Sequence, residues 1–218
     1  SSHETNEWQP SVDNNGMLVY TRWDYVDRGF NQAHHLWLTT PDGRDARELN
    51  GNEHRSERTA PHLIGDGRAI PGSGKYMAVA GGHHTQTRGA LIVIDPSVPD
   101  DNAMSQIRRF TPDQVLPEAE SPLRYDKASG AYATPWPLSE KYALCVYDPL
   151  ANAQYGYIDW RARRYSVALV DAFGNKEILY THPDISCLSP MPLQTRRKPP
   201  VLQHQTLVGR PRLEGGER

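Results

Sequence analysis

The chain has 218 residues, 37% of them hydrophobic, and a mean hydropathy of −0.70, enough to bury a core without disulfides if the architecture is closed. Its 24 basic and 26 acidic residues leave a formal charge of −2, so nothing in the balance points to nucleic acid as a partner. Two cysteines are too few for a disulfide framework or a CxxC zinc site, and no apolar run approaches the roughly 18 residues of a membrane helix, so no membrane insertion is expected.

The first element signal is Pro10-Ser-Val-Asp-Asn-Asn-Gly16-Met-Leu-Val-Tyr20. A second apolar run, Leu36-Trp-Leu-Thr-Thr40, closes on Pro41-Asp42-Gly43, and a short strand follows at 46–49. The pattern returns with Pro71-Gly-Ser-Gly-Lys75-Tyr76-Met-Ala-Val-Ala80, then Leu91-Ile-Val-Ile-Asp95, then 106–110. It returns again with Pro137-Leu-Ser-Glu-Lys141-Tyr142-Ala-Leu-Cys-Val146, then Val167-Ala-Leu-Val-Asp171, then 176–180. The last two copies align without a gap at an offset of 66 residues, from Pro71 to Pro137. Each unit reads strand A, turn, strand B, loop, strand C, turn, strand D, and no 3.6-residue period competes with it.

Four antiparallel strands repeated at this spacing are the signature of β-propeller blades. The prolines fit an inner edge strand A, because proline cannot donate a ladder hydrogen bond. Asp42-Gly43 and Gly174-Asn175 supply hairpin chemistry at the C–D turns. The expectation is an all-β chain with three visible blades and almost no helix. This is a partial ring, since propellers close with about 4 to 8 blades, and the chain reads as a fragment of a longer protein. Residues 1–188 are assigned to the blades and 189–218 to a proline-rich tail with Pro190, Pro192, Pro199, Pro200 and Pro211 around Arg196-Arg197-Lys198, read as an extended linker to a further domain.

The B–C and D–A connections are long and carry the unusual side chains. The first B–C loop is expected to hold Arg22, Trp23, Asp24, His34 and His35, the second His83 and His84, and the third Asp148, Asp159 and Trp160. His54 and His62 fall on the first D–A connection. Arg22, Trp23, Asp24, His83, His84 and Asp148 are the candidate ligand-binding residues, gathered at the channel rim on one face. In the blade alignment Arg22 falls where His83 does, and Asp148 one position earlier. A cationic and imidazole cluster with carboxylates suits an anionic or metal-bridged ligand. Candidate metal ligands are His34, His35, His83 and His84, although neighbours on a strand point to opposite faces. Cys145, in an apolar run, reads as a buried inert thiol.

Gly72-Ser73-Gly74-Lys75 looks like the end of a phosphate loop, but Ala69 stands where its first glycine should be and Tyr76 follows the lysine. No GxSxG, HExxH or CxxC occurs, and no CxxCH, so no catalytic residue is assigned and no covalent haem is expected on this chain.

The strings Trp8-Gln-Pro-Ser-Val-Asp-Asn-Asn-Gly-Met-Leu-Val-Tyr-Thr-Arg-Trp-Asp-Tyr25, Ala80-Gly-Gly-His-His84, Thr134-Pro-Trp-Pro-Leu-Ser139 and Ser186-Cys-Leu-Ser-Pro-Met-Pro192 resemble the middle domain of the hydrazine synthase alpha subunit. They are more similar still to its bacterial relatives with TolB-type (PD40) propeller repeats. The resemblance covers about residues 5–200. It implies a propeller that serves as a non-catalytic scaffold or binding module of a larger exported, periplasmic protein. Partners would be other domains of that protein or a haem-bearing subunit, with any haem held there. Two alternatives stand beside this: a component of a c-type haem-dependent oxidoreductase, and a propeller hydrolase or lyase with a histidine-rich loop face.

Overall fold

A computed structural model describes residues 5–24, 34–51, 61–82, 87–101, 104–113, 130–149 and 164–202. Among these residues there are twelve strands and no helix. Blade 1 comprises β1 (Thr5–Val12), β2 (Leu18–Asp24), β3 (His34–Thr39) and β4 (Arg47–Glu48). Blade 2 comprises β5 (Leu63–Ala69), β6 (Tyr76–Gly81), β7 (Ala90–Ile94) and β8 (Ile107–Arg109). Blade 3 comprises β9 (Ala131–Pro137), β10 (Tyr142–Asp148), β11 (Ser166–Asp171) and β12 (Lys176–Tyr180). Within each blade successive strands pair antiparallel.

The inner strands converge, β1 beside β5 and β5 beside β9. Neighbouring blades also touch at the head of the third strand, where His34 bridges Leu63 and Gly89 bridges Tyr132. The A–B turns are chained together. Asn14 Nδ2 donates to the carbonyls of Ile70 (2.8 Å) and Ser73 (3.0 Å), and Ser73 Oγ and Lys75 Nζ reach the two oxygens of Glu140 at 2.6 and 3.0 Å.

Two cores lie between the blades. Strand side chains alternate in direction, so each blade offers different residues to its two neighbours. Tyr76, Ala78, Ala80, Ala90, Ile92 and Ile94 of blade 2 pack on Val19, Leu36 and Leu49 of blade 1. Met77, Val79, Leu91 and Val93, on the reverse face, pack with Tyr132, Ala143, Cys145, Tyr147, Ala168 and Val170 of blade 3. Covered on both sides, β6 and β7 are buried throughout, which is why 91–94 reads as a continuous apolar run and not as an alternation.

The same bulge recurs in every inner strand. The ladder slips by one residue between Trp8 and Ser11, between Gly65 and Arg68, and between Ala133 and Trp136. The first extra residue has positive φ each time: Gln9 (56°), Asp66 (55°) and Thr134 (44°).

The repeat itself differs by one residue from the sequence alignment. Tyr76 faces Ile94, whereas the residue facing the equivalent Val170 is Ala143 and not Tyr142. The turn of blade 2 closes from Ile70 N–H to Lys75 C=O, but that of blade 3 closes from Leu138 N–H to Tyr142 C=O, one residue shorter. A one-residue slip reverses the face, so Tyr76 is 7% exposed and Tyr142 is 46% exposed. Pro71 lies in this turn rather than in an inner strand, while Pro10 and Pro137 are in β1 and β9. His34 and His35, expected in a loop, belong to β3, and Arg22, Trp23, Asp24 and Asp148 are the last residues of their strands.

Candidate functional site

The end of β2 sends alternate residues to opposite sides. Arg22 Nε donates to Asp24 Oδ1 at 2.7 Å, and Thr5 Oγ1 donates to the same oxygen at 3.2 Å. The Arg22 guanidinium stacks 4.2 Å from the centre of the Trp37 ring on β3. Burial works against the charge on Arg22, but the hydrogen bond and charge of Asp24 outweigh it and raise the arginine pKa. Burial likewise raises the pKa of neighbouring Tyr20, helped by the charge of Glu7.

Trp23 points the other way, toward blade 2. Its ring stacks on His34 with centroids 4.6 Å apart, and Trp8 meets the same imidazole edge-on at 6.0 Å. His35 is buried on the opposite face of β3 and lies against Gly51, where a Cβ would come within 3.1 Å of its Nδ1. Adjacent and oppositely directed, His34 and His35 are not placed to share one ion.

Strand pairing puts Arg22 level with Ala80 and Tyr147. Asp148 is level with Trp23, one position after Arg22 and not before it. Asp148 is fully buried on the face of blade 3 turned away from blade 2, two blades from Arg22. The structure thus joins Arg22 with Asp24 and Trp23 with His34, and sets Asp148 apart from both. His83, His84, His54, Asp159 and Trp160 lie outside the described residues. Among the described residues no three His, Cys, Asp or Glu side chains gather as metal ligands would.

Two further constellations were not anticipated from sequence. Lys176 Nζ lies 3.3 Å from Asp113 Oδ2, 3.0 Å from Tyr132 Oη and 3.6 Å from the centre of the Tyr147 ring. Burial pushes the pKa of Tyr132 far up, and that of the Cys145 thiol beside it to about 12, so this thiol stays protonated and unreactive. The second constellation is on the inner face. The guanidinium carbons of Arg68 and, from the tail, Arg196 lie 4.7 and 4.8 Å from the centre of the Trp136 ring, and Thr134 Oγ1 accepts the Ser189 N–H at 3.1 Å. Gln-Pro, Asp-Gly and Thr-Pro pairs inside strands (residues 9–10, 66–67 and 134–135) are the one signal that could have marked these bulges.

The fold has a counterpart among solved structures. Hydrazine synthase from Kuenenia stuttgartiensis superposes on 90% of this chain with a TM-score of 0.65 and 14% sequence identity. At that identity the likeness establishes the shared fold. The chain spans 22% of the hydrazine synthase chain it matches. No family model and no curated protein matches the sequence. Among the described residues no helix is long and apolar enough to cross a membrane.

Proposed function

We propose that this chain is a non-catalytic scaffold and binding module within a larger, hydrazine synthase-like multidomain protein. The observation that supports this best is how the polar groups at the described strand ends are used. Arg22 is committed to Asp24 and Trp37, His34 to Trp8 and Trp23, and Lys176 to Asp113 and two tyrosines. Such groups tie strands and blades together, and none forms a nucleophile–base pair. In this reading the partners are other domains of the same protein or a haem-bearing subunit, and any haem resides there. Export to the periplasm is part of the proposal and rests on the sequence resemblance.

The test is the absorption spectrum and metal content of the purified chain, before and after incubation with haem. The expected result is neither a stoichiometric Soret band nor a stoichiometric metal. A bound haem or metal that disappears in a His83→Ala, His84→Ala double variant would replace this reading with the redox one.

A further inference from the structure

After β12 the chain crosses the inner side of the arc as an extended segment, 182–202, without regular secondary structure. Cys187 N–H donates to Tyr165 C=O at 2.8 Å, and Tyr165 N–H donates to Ser186 Oγ at 3.2 Å. Ser189 N–H then reaches Thr134 Oγ1 at the bulge of β9, and Arg196 lies on Trp136 two residues further along that strand. The Pro200 carbonyl ends against Gly16 in the first turn of blade 1, where a Cβ would sit only 2.2 Å from the oxygen.

The way this segment is held is unusual for a part of a fold. Ile185, Leu188, Met191, Leu193 and Val201 are all more than half exposed. Apolar burial therefore contributes little, and the contacts are main-chain hydrogen bonds and a stacked guanidinium. Segments with few buried apolar contacts open at small free-energy cost. A proline-rich chain also gives up little conformational freedom on docking, because its extended form is already populated. Gln9 Oε1, at the bulge equivalent to Thr134, accepts the Asp66 N–H at 2.9 Å.

We propose that the inner face of the arc is a binding site for an extended, proline-rich peptide carrying an arginine, and that residues 186–202 fill it as an exchangeable ligand built into the chain. Thr134 reads a main-chain N–H, Trp136 takes the guanidinium, and Gly16 leaves room for a peptide carbonyl. Arginine suits this ring contact better than lysine, because a planar, weakly hydrated guanidinium can stack on an indole. The inference goes beyond the scaffold reading and does not depend on it.

The test uses the full chain with Ser189→Pro and Arg196→Ala, which removes the segment's own N–H donor and guanidinium while leaving Thr134, Trp136 and Gly16 in place. A fluorescein-labelled synthetic peptide of residues 186–202 is titrated by anisotropy. The expected Kd is on the order of micromolar. Binding to the unaltered chain should be weaker by about tenfold or more, since the tethered segment competes at high effective concentration. The peptide lacking its Arg196 side chain should lose about tenfold, and Thr134→Val placed in the same variant should weaken binding further. The proposal is overturned if the folded Ser189→Pro, Arg196→Ala chain does not bind the peptide, or binds a scrambled peptide equally well. It is equally overturned if that chain loses its far-UV spectrum, because the segment would then be an integral part of the fold.

Discussion

Gln9, Asp66 and Thr134 hold φ values of 56°, 55° and 44° at equivalent points of three strands. Non-glycine residues in this region cost on the order of 1 kcal/mol each, so threefold recurrence means that the blade geometry demands it. Each is followed by proline or glycine, residues that fit a bulge where a ladder bond is missing. Asp66 carries a second cost. It is buried, and desolvation raises its pKa above 3.8 against the opposing charge of Arg68. The folded state then binds the proton more tightly than the unfolded chain. Stability from this group is complete below the unfolded value and is lost as pH rises through the folded one. Asp66→Asn keeps the shape and tolerates the positive φ. It should be more stable than the parent by about 1 kcal/mol at pH 7, with the gain gone near about pH 3.5. Urea unfolding at the two pH values measures this, and a gain equal at both would show that the carboxylate charge is not responsible.

At the scale of the element, each strand pair repeats one design with different surroundings. Met77 of β6 and Leu144 of β10 occupy the same position, facing Val93 and Leu169 respectively. Met77 is sealed between blades 2 and 3, whereas Leu144 is only half-buried on the far side of blade 3. Met77→Ala should therefore cost about 2 to 5 kcal/mol and Leu144→Ala roughly 1, a contrast that denaturant titration resolves directly. The same comparison explains what could be read from sequence. Strand order, blade number and the C–D turns at Gly43 and Gly174, both at positive φ, followed from alternation and turn chemistry. The phase of the third blade did not, because the strings ending in Lys75-Tyr76 and Lys141-Tyr142 look alike while their turns differ by one residue. The candidate site suffered from the same cause. Arg22 and Asp148 sit near the ends of similar apolar runs, and the one-position phase that puts Asp148 after Arg22 rather than before it is invisible when loop lengths vary. His34 and His35 looked like loop residues because histidine is a poor marker of strands, yet aromatic stacking on Trp23 draws His34 into β3.

For the whole molecule the question is whether three blades behave as one unit. In a linear repeat array each unit contacts only its neighbours, and stability is a sum of unit and interface terms. Blade 2 contributes one face to each of the two cores, and its central strands have no exposed side. The chained turns add to this coupling: Asp13 Oδ2 accepts the Tyr76 hydroxyl at 2.9 Å across blades 1 and 2, and Lys75 reaches Glu140 across blades 2 and 3. Loss of either interface strips one face from blade 2 and leaves an end blade with nothing covering its apolar face. Leu91 and Ile92 are adjacent in sequence but belong to different cores. Leu91→Ala weakens the interface with blade 3 and Ile92→Ala that with blade 1, each by about 2 to 5 kcal/mol. If the blades are strongly coupled, both variants keep one transition, and tryptophan fluorescence, with Trp8, Trp23 and Trp37 in blade 1, coincides with far-UV circular dichroism, which reports on every blade. If the blades were separable, Ile92→Ala would release blade 1 first, and its fluorescence change would precede the loss of strand signal. Coincident transitions in both variants are the expected result.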